Sequence, residues 1–144
     1  MDEVISIRPF EALNGALLYA LLKLRFDVFI LEQQSLYPEL DDQDQTVLHL
    51  TAHRDGRLVG VLRILPGDPI AIGRVAVAKD ARGDGLAKRM MTAAIAHIEA
   101  DQPGARIKLG AQTHLEHFYA GFGFQRCSDI YDDGGIPHVD MIRA

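Results

Sequence analysis

The chain has 144 residues, 48% of them apolar and 24% charged, which suits one ordinary globular domain spanning 1–144 and excludes a mainly disordered chain. A net charge of −5 with no tryptophan argues against a nucleic-acid binder, which needs cations for phosphates or aromatics for bases. The single cysteine, Cys127, excludes an internal disulfide and a cysteine-built zinc site, fits a reducing cytoplasm, and reads as a small core or strand residue rather than a nucleophile.

Met1-Asp2-Glu3 is acidic where a secretion signal is basic. Ile5 and Ile7 flank Ser6 in a short alternating strand that Pro9 ends. Leu13, Leu17, Leu21, Leu24 and Val28 recur at helical steps, predicting an amphipathic helix that ends near Ile30 to Glu32. Its most apolar stretch, Ala16 to Leu22, is too short to span a bilayer. Gln33 to Asp44, with Pro38 and the acids Glu39, Asp41, Asp42 and Asp44, reads as an exposed loop, solvated or able to attract a polycationic amine.

Leu48 to His53 and Arg57 to Leu65 are strands joined by a hairpin at Asp55-Gly56. Ala71 to Ala78 reads as a buried strand and Asp84 to Ala100 as a helix, stopped by Pro103-Gly104. Ile107 to Ala111 is a short strand, His114 to Ala120 a short helix, and Gly123 its left-handed cap. Gln125 to Tyr131 and His138 to Arg143 are strands around Asp132-Asp133-Gly134-Gly135. The class is α+β with a mixed sheet, and the strand–helix–strand passage from Ala71 to Ala111 is a right-handed parallel crossover.

Two segments carry chemistry. After the strand Ile72 to Val77, the run Arg82-Gly83-Asp84-Gly85-Leu86-Ala87 opens a helix. A helix start offers free N–H groups and a positive dipole end. Glycine keeps the approach open, and Arg82 adds a positive fork, so the run suits an anion cradle. An ordinary strand-to-helix turn would use the same glycines. The Gly-Lys-Ser/Thr of a P-loop and the third glycine of a dinucleotide fold are missing. Arg82-Gly83-Asp84 also matches an adhesion tripeptide, which we take as chance. The second segment is His117 to Phe124. Phe118 and Phe122 read as core, whereas Tyr119 sits beside that stripe and could aim a phenol into a cleft to protonate a departing thiolate.

On these residues the chain resembles the GNAT superfamily of N-acetyltransferases. Its cofactor motif is matched by Arg82, Gly85 and Ala87, and its later Tyr-x-x-x-Gly-Phe motif by Tyr119, Gly123 and Phe124. Leu24 to Gln33, Ile72 to Val77, Leu109 to Gln112 and Gly135 to His138 resemble the ElaA-type branch. The resemblance implies a largely antiparallel sheet of six to seven strands, flanked by helices, with two splayed central parallel strands. It implies that acetyl-CoA, with no metal, enters the splay. Val75, Ala76 and Val77 would pair with pantetheine and polarise the thioester carbonyl. The N–H groups of Arg82, Gly83, Asp84, Gly85, Leu86, Ala87 and Lys88 would hold the pyrophosphate. Gln112 stands where an asparagine is common near the pantetheine arm.

The implied reaction is direct attack by an amine, with Tyr119 as acid. The base is left among Glu32, His49, His114 and His138, while Arg25 and Arg74 would bind an acceptor carboxylate or pair with the acids. A monomer or homodimer acting on a small molecule or peptide, with no nucleic-acid or membrane partner, is the expectation. The alternatives are a non-catalytic acyl-CoA-binding sensor or partner module and an enzyme using a longer acyl group.

Overall fold

The computed structural model describes residues 2–144, so Met1, the first residue of the acidic start, lies outside the described residues. β1 (Glu3–Pro9) leads through one 3-10 turn to α1 (Gly15–Arg25). Asn14 starts that helix by accepting the Leu17 N–H at 2.8 Å. Past Arg25 the helix widens into a π-helical stretch over Phe26–Glu32, where the Gln33 N–H reaches back five residues to Val28 O at 3.1 Å. π-turns of this kind are common at functional sites.

β2 (Leu48–Arg54) and β3 (Arg57–Leu65) follow, joined by Asp55 and Gly56, both at positive φ. Then come β4 (Ile70–Val77), α2 (Leu86–Asp101), β5 (Ile107–Gln112) and α3 (Glu116–Ala120). The strand expected over Gln125 to Tyr131 is split into β6 (Gln125–Arg126) and β7 (Tyr131–Asp133), and both pair with β8 (Ile136–Arg143). Between them the chain leaves the ladder and is tied to it by Cys127 N–H donating to Asp140 O at 2.8 Å.

The described residues form eight strands, ordered β1-β2-β3-β4-β5-β8-β6, with β7 beside β8. Only β4 and β5 run parallel. Val59 to Ile64 of β3 are buried without a break, so both faces of the sheet centre are covered. Gly60 faces α2, where a β-carbon would lie 2.6 Å from Met90 Sδ. The alternate residue Arg63 faces the α1 side, where it meets Asp41 and Asp44. α1 and α2 therefore cover opposite faces. No helix among the described residues is long and apolar enough to cross a membrane.

The loop is exposed at Leu36, Leu40 and Asp42, as expected, but not all of its acids are solvated. Glu39 and Asp44 are buried. Arg25 donates through Nε to Glu39 and through Nη1 to Asp44 at 2.8 Å. Arg63 holds Asp41 at 2.5 Å and Asp44 at 3.1 Å. Arg74 Nε lies 2.8 Å from Glu39 Oε2, yet out of line for a hydrogen bond, so that pair is electrostatic. Burying a carboxylate requires such partners. Arg25 and Arg74 pair with these acids, which accordingly do not offer their charge to a polycationic amine.

Candidate active site

Parallel pairing of β4 with β5 covers only Ile70 with Ile107 and Ala71 with Lys108. Beyond that point the strands diverge, and the β4 edge from Ile72 onward has no ladder partner on the β5 side. A bulge in the β3–β4 ladder places Arg74 at φ 51 on this stretch. A cavity of about 480 Å³ occupies the gap, lined by β4 (Ile72 to Val75), β5, Tyr119 and the β7–β8 hairpin. The splay is thus a built space with free backbone polar groups on one wall.

The cradle lies at the end of the same strand. Gly83 and Gly85 have φ of 95 and 89, left-handed values that favour glycine. Gly85 is the N-cap of α2, contributes no capping side chain, and is followed by a first turn without an acidic residue. The Leu86 N–H faces the Asp84 carboxylate, and the first-turn N–H groups of Ala87 and Lys88, which have no side-chain cap, are where a diphosphate fits. The side chains of Arg82 and Asp84 are already engaged. Arg82 grips Glu32 through Nη1 and Nη2 at 2.6 and 2.8 Å and Val77 O through Nε at 3.0 Å, so its fork is not free as expected. Asp84 accepts from Arg54 at 2.7 Å, which holds its carboxyl low, with a lesser contribution from the Leu86 N–H. With both charges held internally, the adhesion reading of the tripeptide finds no support.

Tyr119 is buried and lines the cavity. Phe118 and Phe124 pack edge-on against its ring at 5.1 and 6.3 Å. Burial pushes its hydroxyl up to about 12, and no hydrogen bond contributes. It is therefore a protonated donor at neutral pH. Gln112 also lines the cavity and donates through Nε2 to Gln33 Oε1 at 3.1 Å.

The four base candidates are dispersed. His49 is buried on β2, its Nε2 2.8 Å from Asp44 O, outside the cavity lining. His114 is exposed and outside it too. Glu32 is held below the usual carboxylate range by Arg82 and sits beside the cradle. Of the four, His138 alone lines the cavity. Its Nδ1 is 2.7 Å from Ile136 O. A carbonyl only accepts, so in the neutral ring Nδ1 carries the proton and Nε2 presents a lone pair.

Cys127 is exposed at the cavity edge, where a core or strand position was expected. Sequence reasoning passed over Ser35, Tyr37, Gly110, Tyr131 and Asp140, which also line the cavity. Among the described residues no group of histidines, cysteines and acids is placed to hold a metal ion.

A family model described as an acetyltransferase (GNAT) domain matches residues 19–144. The ElaA protein of Escherichia coli strain K12 is 37% identical over 137 residues, covering 91% of this chain and 90% of that protein. Its crystal structure superposes with a TM-score of 0.94 at 34% identity, over 98% of this chain and 99% of that one. The crystal structure of an acyl-CoA N-acyltransferase from Pseudomonas aeruginosa gives a TM-score of 0.94 at 36% identity, over 99% of this chain and 100% of that one. A UPF0039 protein of Mycobacterium tuberculosis is 40% identical over 153 residues, covering 99% of this chain and 94% of that protein.

Proposed function

The chain belongs to the GNAT acetyltransferases, in the ElaA-like branch, and from that premise we propose that it moves an acetyl group from acetyl-CoA to a primary amine by direct attack. Acyl-CoA-dependent acyl transfer is the activity its family and structural relatives support. The observation that carries the proposal is that two groups able to transfer protons line one splayed cavity: Tyr119, whose buried hydroxyl is protonated, and the His138 imidazole, whose Nδ1 lies against the Ile136 carbonyl.

Acetyl-CoA, when bound, supplies the acyl group as a thioester. The N–H groups of Gly83, Gly85, Ala87 and Lys88 hold the pyrophosphate, and the unpaired edge of Val75, Ala76 and Val77 aligns the pantetheine arm and polarises the carbonyl. Gln112 borders that arm. An alkylammonium, with a pKa of about 10.4, must lose a proton before it can attack. His138 Nε2 accepts that proton, the free amine attacks the thioester carbon, and the C–S bond breaks as Tyr119 donates its proton to the departing sulfur; the second proton shed by the acylated nitrogen restores the Tyr119 phenol, so the products are the amide and CoA thiol.

The test is acetyl-CoA consumption across polyamines, amino acids, aminoglycosides and lysine peptides. Transfer to one class is expected, falling about 100-fold in turnover in Tyr119→Phe and in His138→Gln with CoA affinity unchanged. Transfer unaffected by either change would remove that residue from its role. CoA binding with no transfer to any amine would leave a non-catalytic acyl-CoA-binding module.

A further inference from the structure

β8 alternates, burying Val139 and Met141 in the core and turning His138, Asp140 and Ile142 to the other face. The antiparallel register sets Gln112, Gly110 and Lys108 of β5 opposite these three residues. All six line the cavity. His138 and Asp140 thus stand two residues apart on one wall, a separation of about 7 Å.

Asp140 differs from Glu39, Asp41 and Asp44. Those are engaged by arginines, whereas its partners are neutral: Oδ1 accepts the Tyr131 hydroxyl at 2.6 Å. No cationic side chain among the described residues pairs with it. Gly110 makes this arrangement possible, because a β-carbon there would lie 2.9 Å from the Tyr131 hydroxyl. Tyr131 also stacks on His138, with centroids 6.1 Å apart. Tyr131 is partly exposed, and partial desolvation and then the Asp140 carboxylate push its hydroxyl up. The charges lining the cavity are Arg74, Lys108, Asp133 and Asp140. Glu39 and Asp41 answer Arg74. Lys108 is left against two carboxylates, so the acceptor end is net negative.

We propose that Asp140 and Tyr131 form a subsite for a second cationic nitrogen, and that the acceptor is a short aliphatic diamine with one nitrogen at His138 and the other at Asp140. The span between the two nitrogens follows the strand repeat, which favours tetramethylenediamine over ethylenediamine. The proposal rests on the reading of His138 as the group facing the reacting nitrogen, and the subsite itself is open to direct binding measurement.

Calorimetric titration of the protein alone with tetramethylenediamine, ethylenediamine and butylamine separates the two. The longer diamine should bind about 10-fold more tightly than butylamine, as a charge-assisted hydrogen bond gives. In Asp140→Asn, which keeps an acceptor for Tyr131, that preference should vanish while butylamine binds as before. Equal binding of diamine and monoamine, or a preference that survives Asp140→Asn, overturns the subsite. An amino acid bound more tightly than the diamine, with Lys108→Ala abolishing the difference, overturns it in favour of carboxylate recognition. Acetylation of the same amines reads the other question. A diamine that binds through Asp140 but is never acetylated leaves the subsite standing and removes the transfer reading.

Discussion

The two ends of the cleft are made of different material. The cradle end is backbone from one continuous run, Arg82 to Lys88, whose shape comes from Gly83 and Gly85 at positive φ. The end at which we place the acceptor is side chains from segments far apart in the chain. Gln112 donates to Gln33 across 79 residues at 3.1 Å, and the Ser35 hydroxyl donates to Gly134 O across 99 residues at 2.6 Å. Backbone donors recognise a phosphate whatever side chains surround them, which suits a cosubstrate shared by a whole family. Side chains set the shape and charge of the second pocket, so each can be changed alone. The cradle should therefore fail through backbone conformation, and the acceptor end through loss of a partner.

The largest expected effect lies beneath the acceptor end. Arg25 is 1% exposed and bridges Glu39 and Asp44. Arg25→Ala leaves two buried acids short of a partner and should cost about 3–5 kcal/mol of stability, readable by urea unfolding. Asp41 is held below the usual carboxylate range by Arg63. Burial pushes Asp44 up, but hydrogen bonds from Arg25 and Arg63 outweigh it and its carboxyl is lowered as well. A lowered folded pKa stabilises above the ordinary carboxylate value, and that contribution is lost as pH falls through the folded value. Unfolding free energy should thus fall with acid below about pH 4, with a shallower slope in Arg25→Ala. An acid limb equally steep in both proteins would show that the network does not govern it.

Next in size is the cradle. Gly85→Val forces a β-branched residue into a left-handed conformation, with its β-carbon 3.2 Å from Arg89 Nη1. CoA affinity should fall about 100-fold, or about 2.7 kcal/mol, while melting drops by roughly 5 °C. Arg82→Ala removes a side chain but no N–H, and its guanidinium is already held by Glu32. It should weaken CoA less than about 10-fold. Equal losses in the two variants, measured by calorimetric titration, would break the contrast between backbone and side-chain recognition.

Legibility followed the same division. The glycine spacing of the cradle, the helix behind it and the alternation of the strands are local patterns, and they were readable because the physics that produces them is local. The place of Tyr119 on the cavity wall follows from a local pattern too, since its helix carries an apolar stripe and the tyrosine sits beside it. Within the exposed acidic loop the burial of Glu39 and Asp44 was not legible, because it depends on Arg25, Arg63 and Arg74, which sit on three other elements. Asp140 and Gly110 became visible only through the β5–β8 register, which pairs residues 30 positions apart. His138 stands apart from Glu32, His49 and His114 only in three dimensions, because it alone of the four lines the cavity. The π-helical widening after Arg25 has no comparable local mark, since Phe26 to Leu31 would read as α-helix on propensity alone.

The smallest predicted effect tests how the acceptor end is held shut. Gly134 sits at φ 61, and a β-carbon there would overlap Ser35 Oγ, the atom that donates to Gly134 O. Gly134→Ala should strain the hairpin tip and push it from Ser35, costing about 1 kcal/mol of stability. Tyr131 and Asp133 lie in the strand leading into that tip, so the loss should appear as a rise of a few fold in acceptor KM with CoA affinity unchanged. Ser35→Ala removes the hydrogen bond but leaves room for an alanine at 134. It should shift KM in the same direction and blunt the further effect of Gly134→Ala in the double variant, because the two changes act on one contact. Additive shifts would mean that the tip and the loop after the first helix act on the acceptor independently, and that the far wall of the cleft is two separate walls.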